Sequence, residues 1–169
     1  MKRPASLRLS SRYEVRALTE AELPEIYALC QSNPLYYECC GVETSEALIR
    51  RDMTLLPPGA APDQKYYVGF FDAGRLLAVL DLIDAYPEED VAFIGFFMVH
   101  GQASGRGLGT EIIRELCEGL RAADFRRVRL AYEKSNPQSG RFWAKNGFLP
   151  LREVSHPEFG TVILAERAI

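Results

Sequence analysis

Residues 99–110 read V-H-G-Q-A-S-G-R-G-L-G-T and stand between an apolar stretch and an amphipathic one. Glycines in such a turn allow tight backbone bends and leave N–H groups uncovered by side chains. If a helix begins directly after them, its first N–H groups have no partner within the helix, and its dipole favours an anion there. Arg106 adds a full positive charge and Thr110 adds a hydroxyl. The stretch therefore predicts a binding site for a diphosphate, here called the seat.

Two other phosphate loops fit this stretch less well. A P-loop needs a lysine after its last glycine, and residues 99–110 contain none. The dinucleotide fingerprint G-x-G-x-x-G fails because the sixth position counted from Gly107 is Ile112. That fingerprint also requires a parallel sheet, which the hairpin order given below disfavours. A glycine turn that merely connects a strand to a helix is the remaining alternative.

The segments on both sides of the turn have the periodicities of a strand and a helix. Residues 91–99 are apolar at nearly every position, which is typical of a strand covered on both faces. Residues 107–123 place apolar side chains on one helical face and charged ones on the other. Similar patterns predict strands at 13–18, 65–71, 76–83, 127–132, 149–154 and 161–166.

Capping signals predict three more helices. A capping-box pattern at residues 19–22 starts the first, and a second is expected between Thr44 and Pro57. A third runs from the Asn136 cap to Gly147. The order is then βααβββαβαββ. It indicates an α/β (α+β) fold with a mixed, mostly antiparallel twisted sheet of about seven strands and helices on both faces.

Length and composition fit one ordinary domain. The 169 residues suit a single domain, expected at 11–169 after an N-terminal tail at 1–10. A net charge of -3 gives no reason to expect nucleic acid or an anionic membrane as a partner. The longest apolar run, Val91–Val99, is far shorter than the roughly 20 residues of a membrane helix. Residues 1–12 lack the apolar core of a secretory signal. We expect a soluble, cytoplasmic protein.

The cysteines and histidines do not suggest a metal site. Cys30, Cys39, Cys40 and Cys117 form no C-x-x-C pair, and the chain has only two histidines. A structural zinc site is built from such pairs at short spacing. We therefore expect no metal and four reduced thiols.

Two motifs give the chain a resemblance to a known family. Residues 104–109 are similar to the loop [QR]-x-x-G-x-[GA] of the GNAT superfamily of N-acetyltransferases, with Ser104 in place of Gln or Arg. A second register, residues 102–107, also satisfies the formula, but the helix face would then begin too late. The family's later pattern N-x-x-[AS]-x-x-[FL]-Y-x-K-x-G-F matches residues 136–148, with Trp143 as the one mismatch. The resemblance is strong over residues 66–154.

The resemblance implies acetyl-CoA as the acyl donor, lying in a V-shaped gap between the fourth and fifth strands. The backbone of residues 97–99 would bind the pantetheine arm and polarise the thioester carbonyl. The acceptor amine would then attack directly, with no covalent enzyme intermediate. The residues that the resemblance places at the cofactor are Phe97, Met98, Val99, Ser104, Gly105, Arg106, Gly107, Leu108, Gly109, Thr110, Asn136, Ser139, Phe142 and Trp143.

Two acid–base groups of such relatives are missing. Phe93 stands where several relatives have a glutamate base, and Trp143 replaces the usual tyrosine acid. An indole N–H hydrogen-bonds a thiolate but does not protonate it, and a thiolate with a conjugate-acid pKa of about 8.5 leaves tolerably well unaided. As catalytic residues we predict Trp143, Asn136 beside the cofactor arm, and Asp81 and Asp84 as candidate bases. Asp81 interrupts an apolar strand, where burial raises a carboxyl pKa.

The leading hypothesis is transfer of acetyl from acetyl-CoA to a primary amine of a small molecule or a peptide, within a ternary complex. The alternative is a non-catalytic acyl-CoA-binding sensor or regulatory module, which Phe93 and Trp143 favour. The sequence leaves open whether the chain works as a monomer or as a homodimer.

Overall fold

Seven strands form one sheet, and five α-helices pack on it, in the computed structural model, which describes residues 8–169. The helices are α1 Leu23–Gln31, α2 Pro34–Cys40, α3 Glu46–Thr54, α4 Leu108–Ala122 and α5 Pro137–Lys145. The strands are β1 Glu14–Ala17, β2 Lys65–Asp72, β3 Arg75–Ile83, β4 Val91–Val99, β5 Arg127–Glu133, β6 Leu149–His156 and β7 Gly160–Ala168.

The strand order across the sheet is β1-β2-β3-β4-β5-β7-β6. Every neighbouring pair is antiparallel except β4 and β5, which run parallel. The parallel pair is joined by α4, as a parallel connection requires a crossover, whereas β2 and β3 are joined by a tight turn. The expected mixed, mostly antiparallel sheet is confirmed.

The two central strands are paired over only part of their length. Residues 91–94 of β4 pair with residues 127–130 of β5, and the register contains no pair beyond them. Just past the last pair, β4 carries a bulge at Gly95, where its partners on β3 shift by one residue. A bulge bends its strand and increases the local twist. β4 and β5 therefore diverge toward their carboxyl ends and leave a gap.

Each face of the sheet has its own core. On one face, here called the α4–α5 face, α4 buries Ile112, Ile113 and Leu116 in one cluster with side chains of β3, β4 and β5. On the other, the α1–α3 face, Ile26 and Leu29 of α1 pack with side chains of β2 and β3. Side chains alternate between the faces of a strand, so the sheet separates the two clusters. Helices cover both faces, as expected.

The order contains one helix that the sequence order βααβββαβαββ lacks. This is α2, which begins with the Asn33-Pro34 pair and ends at Gly41 in the left-handed conformation, with φ at 70°. The same start signal identified α5 correctly. In α2 it precedes only seven residues, with two tyrosines and two cysteines, which are weak helix formers. A helix this short shows no periodicity, so tertiary packing decides it.

The described residues also bear on the predicted N-terminal tail, on membrane-spanning helices and on metal binding. The predicted tail, residues 1–10, lies mostly outside the described residues; of the remainder, Leu9 is 8% exposed and belongs to the core of the α4–α5 face. No helix between residues 8 and 169 is both long and apolar enough to span a membrane. In the same range, no three His, Cys, Asp or Glu side chains are grouped so as to hold a metal ion. The four cysteines are free.

Candidate functional site

The gap between β4 and β5 opens into a cleft of about 300 Å³. Three parts of the chain form its walls: the second half of β4, the glycine turn with the first residues of α4, and α5. A fourth contribution comes from residues at the end of α1 and in α2. The cleft therefore lies at the carboxyl edge of the parallel pair, where the sheet itself is open.

The glycine turn presents an uncapped helix end to this cleft. α4 begins at Leu108, and its N-cap is Gly107, which has φ at 78° and offers no side chain to the free N–H groups. Gly105 also has φ at 78°, and a Cβ at either glycine would meet no atom within 4 Å. Both backbones require a conformation that side chains disfavour, and the space above them is open. Such an end attracts an anion.

Most of the predicted cofactor residues lie together around the cleft. Those lining it are Phe97, Met98, Val99, Ser104, Gly105, Gly107, Gly109, Thr110, Asn136, Ser139, Phe142 and Trp143. Two do not line it: Arg106 is exposed outside, and the Leu108 side chain is buried in the core. Four lining residues are not among the predicted cofactor residues, namely Asn33, Tyr36, Gln138 and Lys145.

Aromatic side chains form the apolar wall of the cleft. The rings of Phe97 and Phe142 are stacked with centroids 6.1 Å apart, and Phe142 meets Trp143 edge to face at 4.9 Å. Trp143 is only 7% exposed because its other side packs on Phe148 in the core. Gly109 lies against this wall, since a Cβ there would come within 3.1 Å of the Phe142 ring. The wall leaves little freedom to these rings.

Two asparagines hold the ends of the elements that meet at the cleft. Asn136 is 2% exposed, and its Oδ1 accepts a hydrogen bond from the Ser139 N–H at 3.1 Å, which makes it the cap of α5. Asn33 donates from Nδ2 to the carbonyl of Val99 at 3.0 Å, which ties the end of α1 to the end of β4. The cap at Asn136 follows from its sequence position. The hydrogen bond between Asn33 and Val99 joins residues 66 positions apart, so no local sequence pattern predicts it.

Asp81 lies on the α1–α3 face beside the bulge of β4. Its Oδ2 accepts from the Lys65 ammonium at 2.7 Å, and both side chains are nearly buried, at 12% and 6% exposure. Burial raises the pKa of Asp81, and the hydrogen bond from Lys65 opposes that rise. Among the described residues, Oδ1 has no hydrogen-bond partner. Gly95 is required at the bulge, because a Cβ there would come within 2.7 Å of Oδ2.

Asp84 is not brought to the cleft. It follows β3 at the end where that strand pairs with residues 93–94 of β4, in the closed part of the sheet. Its backbone N–H donates to the Gln64 carbonyl at 2.8 Å, and its own carbonyl accepts from Gln64 Nε2. Burial raises the pKa of Asp84. The Asp84 carboxylate does not line the cleft, so it is not placed to act as a base there. Its catalytic role stays a prediction without geometric support.

A carboxylate that sequence reasoning missed lies at the end of β5. Glu133 is 6% exposed, and its Oε1 accepts a hydrogen bond from the Cys40 thiol at 3.1 Å. Cys40 belongs to α2, the helix absent from the predicted order. Tyr36, on the same helix, lines the cleft and meets the ring of Phe96 edge to face at 6.0 Å. A charged residue ending an alternating strand is an ordinary surface pattern, so only the position of α2 reveals this cluster.

Comparison with known proteins identifies the class. The sequence matches the model of the Acetyltransferase (GNAT) family over residues 23–148, about three quarters of the chain. The chain belongs to this family. It is therefore an acetyltransferase, of a family in which acetyl-CoA is the acetyl donor. No curated protein matches the sequence significantly.

Solved structures share the fold at low sequence identity. An acetyltransferase from Thermus thermophilus has a TM-score of 0.75 at 21% identity, covering 94% of this chain and 97% of its own. The acetyl transferase of Salmonella typhimurium that modifies the N-terminal serine of 50S ribosomal subunit protein L7/L12 scores 0.72 at 19% identity, with 96% and 98% covered. AAC(6')-Ib in complex with Parmomycin and acetyl-CoA scores 0.71 at 19% identity, with 94% of both chains covered. At these identities the likeness establishes the fold.

Proposed function

We propose that the protein transfers the acetyl group of acetyl-CoA to a primary amine, which attacks the thioester directly in a ternary complex. The observation that carries this proposal is an uncapped helix end placed beside the gap between two diverging strands. The first feature suits a diphosphate and the second an extended chain. Coenzyme A has both parts in one molecule.

The first turn of α4 would hold the diphosphate. Its free N–H groups follow Gly107, and the Thr110 hydroxyl lies in the same wall. Hydrogen bonds to a charged group contribute roughly 1.5–3 kcal/mol each. Four such donors give a gross stabilisation on the order of 6–12 kcal/mol. Micromolar binding corresponds to about 8 kcal/mol, so the seat is adequate even after the ligand loses its freedom.

The open half of β4 would hold the pantetheine arm and the thioester. Phe97 and Met98 line the cleft where β4 has no partner on its β5 side. Backbone N–H groups fixed there would face the oxyanion of the tetrahedral intermediate, where preorganised dipoles stabilise most. Asn33 keeps the end of β4 in place through the Val99 carbonyl.

The leaving thiolate would face the α5 wall. Trp143 lies there, and its indole N–H donates a hydrogen bond without giving up a proton. Asn136 would contact the arm of the cofactor while capping α5. For the base, Asp81 is the sequence-derived proposal. Its Oδ1 has no partner, but that atom is buried, Asp81 does not line the cleft, and the ion pair with Lys65 holds its other oxygen.

The acceptor we propose is the amine of a small molecule or a peptide. Two fold neighbours support this breadth: one modifies an N-terminal serine, and the other is a complex with Parmomycin and acetyl-CoA. We place the protein in the cytoplasm, because its four cysteines are free rather than paired. A non-catalytic acyl-CoA-binding module is the alternative, and no relative supports it.

The test is release of free thiol from acetyl-CoA in the presence of an alkyl diamine, a peptide with an N-terminal serine, and an aminoglycoside. We expect release that depends on at least one amine, with an equal amount of N-acetylated product by mass spectrometry. Binding of acetyl-CoA without turnover of any amine would instead identify a non-catalytic module. Failure to bind coenzyme A at all would contradict both.

A further inference from the structure

Glu133 is a buried carboxylate without a cation. Within residues 8–169, no lysine, arginine or histidine nitrogen lies within 4.0 Å of the Glu133 carboxylate. The one hydrogen bond to this carboxylate comes from the Cys40 thiol. An uncompensated buried charge destabilises a fold, and a thiol is a weak donor. Asp81 differs, because Lys65 neutralises it. A carboxylate without a cation, close to the cleft, is a candidate proton acceptor.

A line of polar groups connects this carboxylate to the cleft. Cys40 lies one helical turn after Tyr36, so the two side chains share a face of α2. Tyr36 lies close enough to both partners for the charge of Glu133 and the Cys40 side chain to affect the pKa of its hydroxyl. Burial raises the pKa of Tyr36, and the charge on Glu133 raises it further. Burial and Glu133 also raise the pKa of Cys40, to about 12. Tyr36 and Cys40 are thus neutral near pH 7, and each carries a proton to pass on.

The outer end of this line reaches the reacting region. The Tyr36 ring lines the cleft and packs on Phe96, the residue directly after the Gly95 bulge. The proposed seat of the thioester is the next part of β4. An amine that approaches the carbonyl from the α1–α3 face would therefore pass the Tyr36 side chain.

We propose that Tyr36, Cys40 and Glu133 form a proton relay that accepts the proton of the acceptor ammonium and delivers it to the buried carboxylate. This inference rests on the proposed amine acetylation and adds the group that makes the amine nucleophilic. It also names the substrate class: an amine that is protonated, and hence cationic, when it enters.

The proton transfers and the acetyl transfer conserve all atoms and charges. The ammonium gives one proton to the Tyr36 oxygen as the Tyr36 proton moves to the Cys40 sulfur and the Cys40 proton moves to a Glu133 oxygen. The free amine then attacks the thioester carbonyl carbon, the C–N bond forms and the C–S bond breaks. The nitrogen loses its second proton, which neutralises the leaving thiolate. Glu133 later returns its proton to solvent, so the net products are the amide, free coenzyme A and one proton.

The most specific test uses two adjacent cysteines. Cys40→Ala interrupts the relay, whereas Cys40→Ser keeps a group that both accepts and donates. Cys39→Ala is the matched control, because its side chain is half-buried outside the line. General base catalysis contributes about 100- to 10,000-fold, so we expect kcat to fall roughly 100-fold in Cys40→Ala. Cys40→Ser should restore most of it, and Cys39→Ala should equal the wild type.

Both ends of the relay have their own variants. Glu133→Gln should lower kcat at least as much as Cys40→Ala, and Tyr36→Phe should do the same. Tyr37→Phe is the control for the latter, because its hydroxyl interacts with Cys30 and Thr44 instead. Removing an unpaired buried charge leaves the thermal midpoint of Glu133→Gln unchanged or higher. The fluorescence of Trp143, the one tryptophan of the chain, reports acetyl-CoA binding, which these variants should retain.

The results separate the relay from the function on which it rests. Wild-type turnover in Cys40→Ala or Glu133→Gln overturns the relay and leaves amine acetylation intact. A lower thermal midpoint in Glu133→Gln, together with weaker acetyl-CoA binding, identifies a structural carboxylate and also overturns it. If the wild type acetylates no amine, the proposed function fails, and the relay fails with it.

Discussion

The glycine turn at residues 104–110 lines the cleft, and the cluster of Tyr36, Cys40 and Glu133 reaches the cleft through Tyr36. The sequence encodes the two in different ways. The turn is a continuous segment whose glycines, helix start and charge are visible in the sequence. The cluster joins residues 93 positions apart through a thiol–carboxylate hydrogen bond. The proposed acetyl-CoA side of the cleft, here called the donor side, is thus determined locally. The proposed amine side, here called the acceptor side, depends on how the short helix α2 packs at the end of β5.

This difference has a consequence for function. Acetyl-CoA is common to the family, so its seat follows a pattern that other chains share. The proposed acceptor side is formed by α1, α2 and the ends of β4 and β5, where the sequence pattern is weakest. Changes on the two sides should therefore have different effects: changes at the glycine turn affect cofactor affinity, and changes on the acceptor side affect stability or turnover.

The largest expected effect is on stability, at the Lys65–Asp81 pair. Lys65→Met leaves Asp81 buried without its cation, and breaking a buried pair costs about 3–5 kcal/mol. Urea unfolding at pH 7 measures the loss. Arg51→Met is the matched control, because its pair with Glu158 is about half exposed and contributes at most about 1 kcal/mol. Equal losses in the two variants would contradict the difference in burial between the two ion pairs.

The second expected effect is on cofactor affinity, at Gly107. Gly107→Val places a branched side chain in the open space of the seat and disfavours φ at 78°. The loss of one or two charged hydrogen bonds, about 1.5–3 kcal/mol each, should weaken coenzyme A binding roughly 100-fold by calorimetry. Gly59→Val is the control: Gly59 has φ at 87° and open space, but it lies outside the cleft. Unchanged affinity in Gly107→Val would remove the seat from this turn.

A smaller effect is expected at Trp143. Trp143→Tyr supplies a phenol that is able to protonate the leaving thiolate. Because a thiolate also leaves tolerably well unprotonated, kcat should rise by only up to about tenfold, less than the usual roughly 100-fold or more of acid catalysis. Acetyl-CoA affinity, measured by calorimetry, should remain near the wild-type value. A fall in kcat would mean that the indole has a role of its own, such as holding the stacked rings of Phe97 and Phe142.

A further effect is the pH dependence of stability at Asp52. Burial, with the nearby charge of Asp81, raises the pKa of Asp52 from an ordinary 3.8 to about 6. The folded state then binds a proton more tightly than the unfolded state, so this group lowers stability as pH rises from about 4 to 6. Asp52→Asn should remove that loss and be more stabilising at pH 7 than at pH 4. A difference of the opposite sign between the two pH values would contradict the burial of this group.

The elements that the sequence predicted well are those with strong local signals. Residues 91–99 were predicted as a strand at the observed bounds, and the helix after the glycine turn differs by one residue at each end. Two features of the fold were not predicted from the sequence. The helix α2 is too short for periodicity, and the Gly95 bulge appears only in the register between β3 and β4.

The candidate site divides in the same way. The residues from Ser104 to Thr110 lie together because they are consecutive, and the α5 residues lie there because Asn136 starts a helix. Asp81 was expected to be buried, and it is, but its pairing with Lys65 depends on β2 and β3 being neighbours. Glu133 had no distinguishing sequence feature. Chemistry that requires partners from different elements is set by topology and packing rather than by motif.

The central claim is that acetyl-CoA lies along the open half of β4 with its diphosphate on the first turn of α4. Hydrogen–deuterium exchange of the wild type with and without coenzyme A tests this directly. The ligand should slow amide exchange in residues 97–99 and 105–110 and leave β1 and β6 unchanged. Protection confined to other segments, or no protection at saturating coenzyme A, would contradict the claim.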